Sequence, residues 1–165
     1  MTDATDDTTA PPPAPPSHVV RAAGGGDVEA ARALLQRFFD EEGFDVSPLR
    51  VGTALASMLE GSDAAVFVAW REGEAVGVAT VAVVMSLEYG RVAEIGDVFV
   101  PAEHRGHGIA GDLLETAAQW AAQRGCGAIN VVVTPEGDQA HELTAFYRRR
   151  GFENTHRTLL ERKLT

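Results

Sequence analysis

Apolar residues along this chain switch between two periods, and the switches predict its architecture. Val28, Ala31, Leu35, Phe38 and Phe39 recur at helical spacing and give a helix one apolar face. Asp27 stands where a capping side chain belongs, and Gly43 ends the run. Ser47-Pro48 opens a second helix with a cap followed by proline at the first helical position. Val51, Leu55, Met58 and Leu59 form its stripe, and Gly61 stops it. Ahead of both helices, His18–Ala23 reads as a short strand broken by Gly24-Gly25-Gly26.

The pattern then becomes that of strands. Ala64–Trp70 and Glu74–Met85 are rich in Val and Ala, with Arg71-Glu72-Gly73 as the turn between them. Val92–Val100 follows the break at Tyr89-Gly90. The short connections predict an antiparallel meander. Gly108–Gln123 returns to helical spacing, with Ile109, Leu113, Ala117, Trp120 and Ala121 on one face and Gly125 as the stop. Ala128–Val133 is a continuous apolar run, which suits a buried strand parallel to Val92–Val100. A last helix is expected over Asp138–Arg150, ended by Gly151, and Thr155–Leu164 is expected to return as an edge strand. The order β-α-α-β-β-β-α-β-α-β predicts a mixed α/β domain, antiparallel at first and built on one parallel β-α-β unit at its centre.

Residues 1–17 change the picture at one end. They carry five prolines and little to bury, so a disordered tail is expected there and the domain is expected over 18–165. At 165 residues, 45% of them apolar, one domain with a real core is expected. No apolar run is long enough to cross a bilayer, and no basic segment followed by an apolar one marks a secretory signal, so no membrane partner is expected. The single cysteine, Cys126, excludes an internal disulfide and fits a cytoplasmic location. A net charge of −10 argues against a nucleic-acid partner and mildly for a cationic one, although solubility alone also accounts for it.

The candidate chemistry centres on Arg105-Gly106-His107-Gly108-Ile109-Ala110-Gly111, between a strand and a helix start. Such a loop points backbone N–H groups and the positive helix end at one spot, which suits a pyrophosphate. Glycines let the backbone approach the anion, and Arg105 adds a forked cation. Gly106, Gly108 and Gly111 also fit the dinucleotide pattern G-x-G-x-x-G. That reading requires repeated β-α-β units and glycines directly after the strand, whereas Pro101–Arg105 intervene and one unit is present. No nucleotide-triphosphate loop motif occurs. His104 and His107 lack a third ligand at a familiar spacing, so no metal is expected.

In these residues the chain resembles the GNAT acetyltransferase superfamily. Its phosphate signature is Arg or Gln, two residues, Gly, one residue, then Gly or Ala, and Arg105–Ala110 fits it. Asp97-Val98-Phe99-Val100-Pro101 and Ala145-Phe146-Tyr147-Arg148-Arg149-Arg150-Gly151-Phe152 look like two further landmarks in the right order. The resemblance runs from His18 to the C-terminus and implies a GNAT-like acyl-CoA N-acyltransferase fold with acetyl-CoA as cofactor. The cofactor would be held by Arg105, Gly106, His107, Gly108, Ile109 and Ala110. Backbone near Val98, Phe99 and Val100 would bind the pantetheine arm, in the slot between the two parallel strands. Many members carry an asparagine about seven residues before the tyrosine; Ala140 stands there, so that contact is not carried over.

An amine attacking a thioester must lose a proton, and the departing sulfur must gain one. The resemblance makes Tyr147 the acid, neutral at pH 7 and able to donate, and also a cofactor neighbour. Core packing beside Phe146 is its structural alternative. The base is expected on the strand Val92–Val100. Family members place a glutamate near Glu94, and others an acid near Asp97; Glu94 ranks slightly ahead. Strict alternation puts Glu94, Gly96, Val98 and Val100 on one face and Ile95, Asp97 and Phe99 on the other, and a bulge would exchange the faces. Water acting alone as the base is the alternative. Cys126 lies in a turn far along the chain from these groups and reads as a bland thiol. Arg148-Arg149-Arg150 reads as a complement to the negative end of its own helix.

The family's acceptor site lies against the first two helices. Here Glu41, Glu42 and Asp45, with Asp40 beside them, surround Phe44, and Glu88 and Tyr89 precede the strand Val92–Val100. These are the expected acceptor residues, unless they form an ordinary acidic helix end. They point to a small cationic amine, an aminoglycoside or polyamine, as the partner. A protein N-terminus or lysine, and a non-catalytic acyl-CoA sensor, remain as alternatives, and a homodimer is compatible with the chain.

Overall fold

The computed structural model describes residues 17–164. Five strands form one sheet in the order β1-β2-β3-β4-β5. They are β1 (Val19–Ala22), β2 (Ala64–Arg71), β3 (Glu74–Ser86), β4 (Gly90–Phe99) and β5 (Ala128–Val131). The first three pairings are antiparallel and β4–β5 is parallel, as the hydrophobic pattern predicts. Helices α1 (Val28–Glu42) and α2 (Pro48–Glu60) cover one face. Their Leu35, Val51 and Leu55 pack on Val66, Val68, Val78 and Phe99 of the sheet. Helix α3 (Ile109–Gln123) covers the other face, where Ile109, Leu113 and Ala117 pack on Phe67, Ala79, Val81 and Ile95. Two apolar layers therefore sandwich a sheet buried on both sides, the arrangement in which a parallel pair is stable.

Local signals act largely as their residues dictate. The Ser47 hydroxyl accepts from the Arg50 N–H, with Pro48 in the first turn. Gly43 closes α1 in the left-handed conformation, at φ 73°. Asp27 does something else: its carboxylate accepts from the Gly24 N–H and from Arg21, so it braces the turn before α1 rather than the helix itself.

The C-terminal region differs from expectation in two ways. The single helix expected over Asp138–Arg150 is two, α4 (Pro135–His141) and α5 (Leu143–Arg148). Glu142 between them is left-handed at φ 50°, and the Asp138 carboxylate accepts from the Thr144 N–H across the break. Thr134 caps α4 by accepting from Gly137, ahead of Pro135. A capping threonine and a proline thus start the helix three residues earlier than apolar spacing suggests. The expected edge strand over Thr155–Leu164 does not form, and β5 is an edge of the sheet. Leu159, Leu160 and Leu164 stay exposed, so no buried face sets a register for that segment. The strand expected to Val133 also ends at Val131. The expected tail over residues 1–17 lies outside the described residues, apart from Ser17.

Candidate active site

The site begins where two parallel strands part. β4 and β5 pair from Val92↔Ala128 to Ile95↔Val131 and no further. Past that point the β5 side of β4 has no strand partner, and a cleft of about 630 Å³ opens in the fork. Ile95–Val100 line one wall, and Val131, Val132 and Thr134 the other. The slot expected between the two strands is present.

The floor of the cleft is the loop before α3. Gly106 and Gly108 both hold left-handed φ, 79° and 81°, which a side chain would strain. The Asp112 N–H is the first to bond within the helix, to the Gly108 carbonyl at 3.1 Å. The N–H groups of Gly108 to Gly111 therefore have no partner inside α3, and no side chain caps them. Arg105 Nε donates to the Val100 carbonyl at 2.8 Å, which fixes the loop to the end of β4. The loop is braced on the α1 side as well. Arg37 donates to both oxygens of Glu103, at 2.7 and 2.9 Å, and holds that carboxyl down to about 2. Of the expected cofactor residues, Val98, Phe99, Val100, Arg105, Gly106, Gly108, Ile109, Ala110 and Tyr147 all line the cleft. His107 does not; its Nδ1 lies 2.9 Å from the Arg105 carbonyl and stays on the outer side of the loop.

Two side chains that the sequence left out of the site join this floor. Arg150 lines the cleft, its guanidinium stacked 3.8 Å from the Phe146 ring centroid. A Cβ placed on Gly111 would meet Arg150 Nη2 at 2.9 Å, so glycine at that position seats the cation against the first turn of α3. The triple arginine was the only signal for it. His141 Nε2 lies 3.3 Å from Glu42 Oε1, a side-chain bridge from α4 to α1 with both residues on the cleft wall.

The acid-base candidates separate on geometry. The β3–β4 register shifts between Ala79↔Val98 and Val81↔Ile95, so Thr80 stands against both Gly96 and Asp97. This bulge exchanges the faces of β4. Ile95 and Val98, three residues apart, both pack on the α3 side, and Phe99 packs on the α1–α2 side. Asp97 turns toward α1 and α2 as well, into a second cavity. Its carboxylate accepts from Thr80 Oγ1 at 2.8 Å, and its N–H donates to the same oxygen at 2.9 Å. Burial raises the Asp97 pKa above the ordinary carboxylate value, and the Thr80 hydrogen bond opposes part of that rise. Asp97 lines both cavities. Glu94 is exposed and lines neither, so the geometry favours Asp97 over the residue ranked first from sequence. Tyr147 is 8% exposed, held edge-on between Phe146 and Phe152 with centroids 5.3 Å from each. Burial raises its pKa, opposed by the charge of Arg150.

The expected acceptor residues do not all converge. Glu42 lines the cleft beside Phe38 and Phe44. Glu41 is engaged by Arg37 at 2.8 Å and lies 3.7 Å from Arg105. Asp45 is exposed and lines neither cavity. Glu88 and Tyr89 sit in the β3–β4 turn, hydrogen-bonded to each other, at the far end of β4 from the cleft. At about 3.3 Å per residue, the strand from Gly90 to Ile95 puts roughly 17 Å between that turn and the fork.

The acetyltransferase (GNAT) family model matches residues 28–152. This chain belongs to that family. The match spans the fork, the glycine loop and Tyr147, and places the protein among acetyl-CoA-dependent N-acetyltransferases. Solved structures agree on the fold. Aminoglycoside N-acetyltransferase AAC(6')-Iy in complex with CoA is 21% identical, with 88% of this chain and 94% of that one covered and a TM-score of 0.77. An integron cassette protein from the mobile metagenome of Cole Harbour Salt Marsh is 28% identical, covering 88% and 90%, at 0.78. A predicted acetyltransferase from Clostridium acetobutylicum, solved with acetyl-CoA, is 19% identical, covering 88% and 96%, at 0.72. No curated protein sequence matches the chain. No helix among the described residues is long and apolar enough to cross a membrane.

Proposed function

We propose that this GNAT enzyme transfers the acetyl group of acetyl-CoA to the primary amine of a small cationic acceptor, by direct attack in a ternary complex. The observation that carries the reading is the position of Asp97, on the wall shared by the cofactor cleft and a second cavity. Asp97 thus borders both spaces. The cleft residues suit acetyl-CoA in chemical type: free N–H groups at Gly108–Gly111 with Arg105 and Arg150 for phosphates, and an unpaired strand edge for the amides of the arm.

Acetyl-CoA supplies the acyl group as a thioester. Asp97 draws the acceptor ammonium in and takes its proton, which frees the lone pair of nitrogen. Its raised pKa strengthens it as a base. A C–N bond forms as the C–S bond breaks, and Tyr147 gives a proton to the departing sulfur. Asp97 passes the first proton to solvent and takes the second from nitrogen as the C–N bond forms; that proton restores the phenol through solvent, and the products are an acetamide, a free thiol and one proton released to solvent. Burial keeps the Tyr147 phenol protonated and ready to donate.

A polycationic acceptor, an aminoglycoside or polyamine, is the second reading. It is supported by Glu42 on the cleft wall and by the likeness to an aminoglycoside acetyltransferase. A cytoplasmic location fits the reading, with Cys126 kept reduced. The test is release of CoA thiol from acetyl-CoA by the purified chain across a panel of alkylamines, polyamines, aminoglycosides and peptides. Amine-dependent release with a small amine is expected. Tight acetyl-CoA binding without release for any amine would make the protein a sensor instead.

A further inference from the structure

The second cavity has a composition at odds with a polycation. It measures about 300 Å³ and lies between α1, α2 and the sheet. Its walls are Leu35, Phe39, Val51, Leu55 and Met58, and its polar floor is Asp97 with Thr80. The charged side chain beside Asp97 on the lining is a cation, Arg50, itself exposed to solvent. Glu41, Glu42 and Asp45 are not on it.

We infer that this cavity is the acceptor site and that it selects an amine with one charge and a compact apolar body, an alkylamine or arylalkylamine. The inference rests on the acetyl-transfer reading and names its substrate class. Three features argue for it together. Asp97 lines both this cavity and the cofactor cleft, so an amine seated on that carboxylate has its nitrogen on the shared wall and its body among aliphatic walls. The volume lies at the lower end of the range for small-molecule sites, which suits a short unbranched or single-ring body and excludes a multi-ring sugar. A second ammonium on the acceptor would lose its hydration against apolar walls and meet Arg50 rather than a carboxylate. A single ammonium has its counter-charge in Asp97, and its body gains from burial.

The test compares n-alkylamines from ethylamine to heptylamine with spermidine and kanamycin. Each methylene buried should lower KM about fourfold until the cavity is full. Heptylamine should also bind the protein without acetyl-CoA in calorimetry, with a negative heat-capacity change. Ala54 lines the cavity from α2 and is exposed, so Ala54→Phe narrows the cavity from its open side. This variant should lower kcat/KM for heptylamine at least tenfold more than for ethylamine, and should abolish the calorimetric signal. Arg50→Glu should shift preference toward spermidine. A flat KM across the alkyl series, or better turnover of spermidine or kanamycin than of heptylamine, would overturn the inference and leave acetyl transfer standing. Failure of every amine to release thiol would instead overturn the transferase reading beneath it.

Discussion

The Thr80 hydroxyl touches Asp97 twice, accepting from its backbone N–H at 2.9 Å and donating to its carboxylate at 2.8 Å. One hydroxyl thus fills the gap left by the β4 bulge and orients the carboxylate. Removal of the charge should therefore separate chemistry from folding. Asp97→Asn should lower kcat/KM for the amine by ~10²–10⁴-fold. In the native enzyme, activity should fall as pH drops through the raised Asp97 pKa, above the ordinary carboxylate range, and that acid limb should vanish in the variant. The sign for stability runs the other way. A folded-state pKa above the unfolded one favours the protonated form, so ionised Asp97 destabilises the fold as pH rises through it. Asp97→Asn should melt no lower than the native protein at neutral pH, and a clearly lower melting temperature would make Asp97 structural.

Gly96 leaves room for that hydroxyl. A Cβ at Gly96 would lie 2.7 Å from Thr80 Oγ1, so Gly96→Ala must turn the hydroxyl away and break both of its bonds to Asp97. The expected cost is about 1–3 kcal/mol of stability, with a loss of kcat larger than any change in the KM for acetyl-CoA. Adding Thr80→Ala should recover part of the stability and none of the kcat. A crystal structure of Gly96→Ala with both hydrogen bonds intact would contradict this account.

Gly108 begins the helix whose free N–H groups face the cleft, at φ 81° with open space beside it. Gly108→Glu brings a negative charge to the positive helix end and strain of about 1–2 kcal/mol. Acetyl-CoA affinity should fall more than 100-fold in calorimetry, and Gly108→Ala should lose far less. Near-native affinity in the glutamate variant would remove the loop from the phosphate site.

Tyr147→Phe keeps the ring that packs between Phe146 and Phe152 and deletes only the hydroxyl. Where chemistry limits turnover, kcat should drop ~10²–10⁴-fold with little change in acetyl-CoA binding. Because burial raises the phenol pKa, the native enzyme should hold its activity through the ordinary tyrosine range near 10. An unchanged kcat would remove Tyr147 from proton transfer.

Arg150 is the least expected member of the cleft. Arg150→Met retains stacking on Phe146 and removes the cation from beside Gly111. Binding of acetyl-CoA should weaken about tenfold or more, as expected for a hydrogen bond to a charged group, with kcat at saturation little altered. An unchanged dissociation constant would restrict Arg150 to packing.

Much of this protein is legible in its sequence because the signals are local. Periodicity from Val28 to Ala121 determines two helices, the meander and the β-α-β unit, since each element must bury one face and its residue spacing says which. Arg105–Ala110 determines the glycine loop ahead of α3 for the same reason: left-handed glycines before a helix act through their own backbone. The C-terminal region is less legible. Thr134-Pro135 starts a helix early, and Thr155–Leu164, expected as an edge strand, has no face to bury.

The face that Asp97 takes was decided only by tertiary structure. Alternation along β4 places Asp97 with Ile95, and a pairing shift against Thr80 on another strand moves it to the opposite face. A lone threonine in the apolar run Ala75–Met85 was the trace of this in sequence. Arg150 does answer its own helix, donating to the Phe146 carbonyl at 2.9 Å, but only the fold set it over Gly111 as well. The same holds for the acidic end of α1: Arg37 pairs with Glu41 within the helix, but Arg105 and His141 arrive from elsewhere in the fold to meet Glu41 and Glu42. Backbone periodicity and helix-end dipoles are properties of a few neighbouring residues, and sequence determines them. The face a side chain takes after a bulge, and the charge that meets it there, depend on residues brought together only by packing.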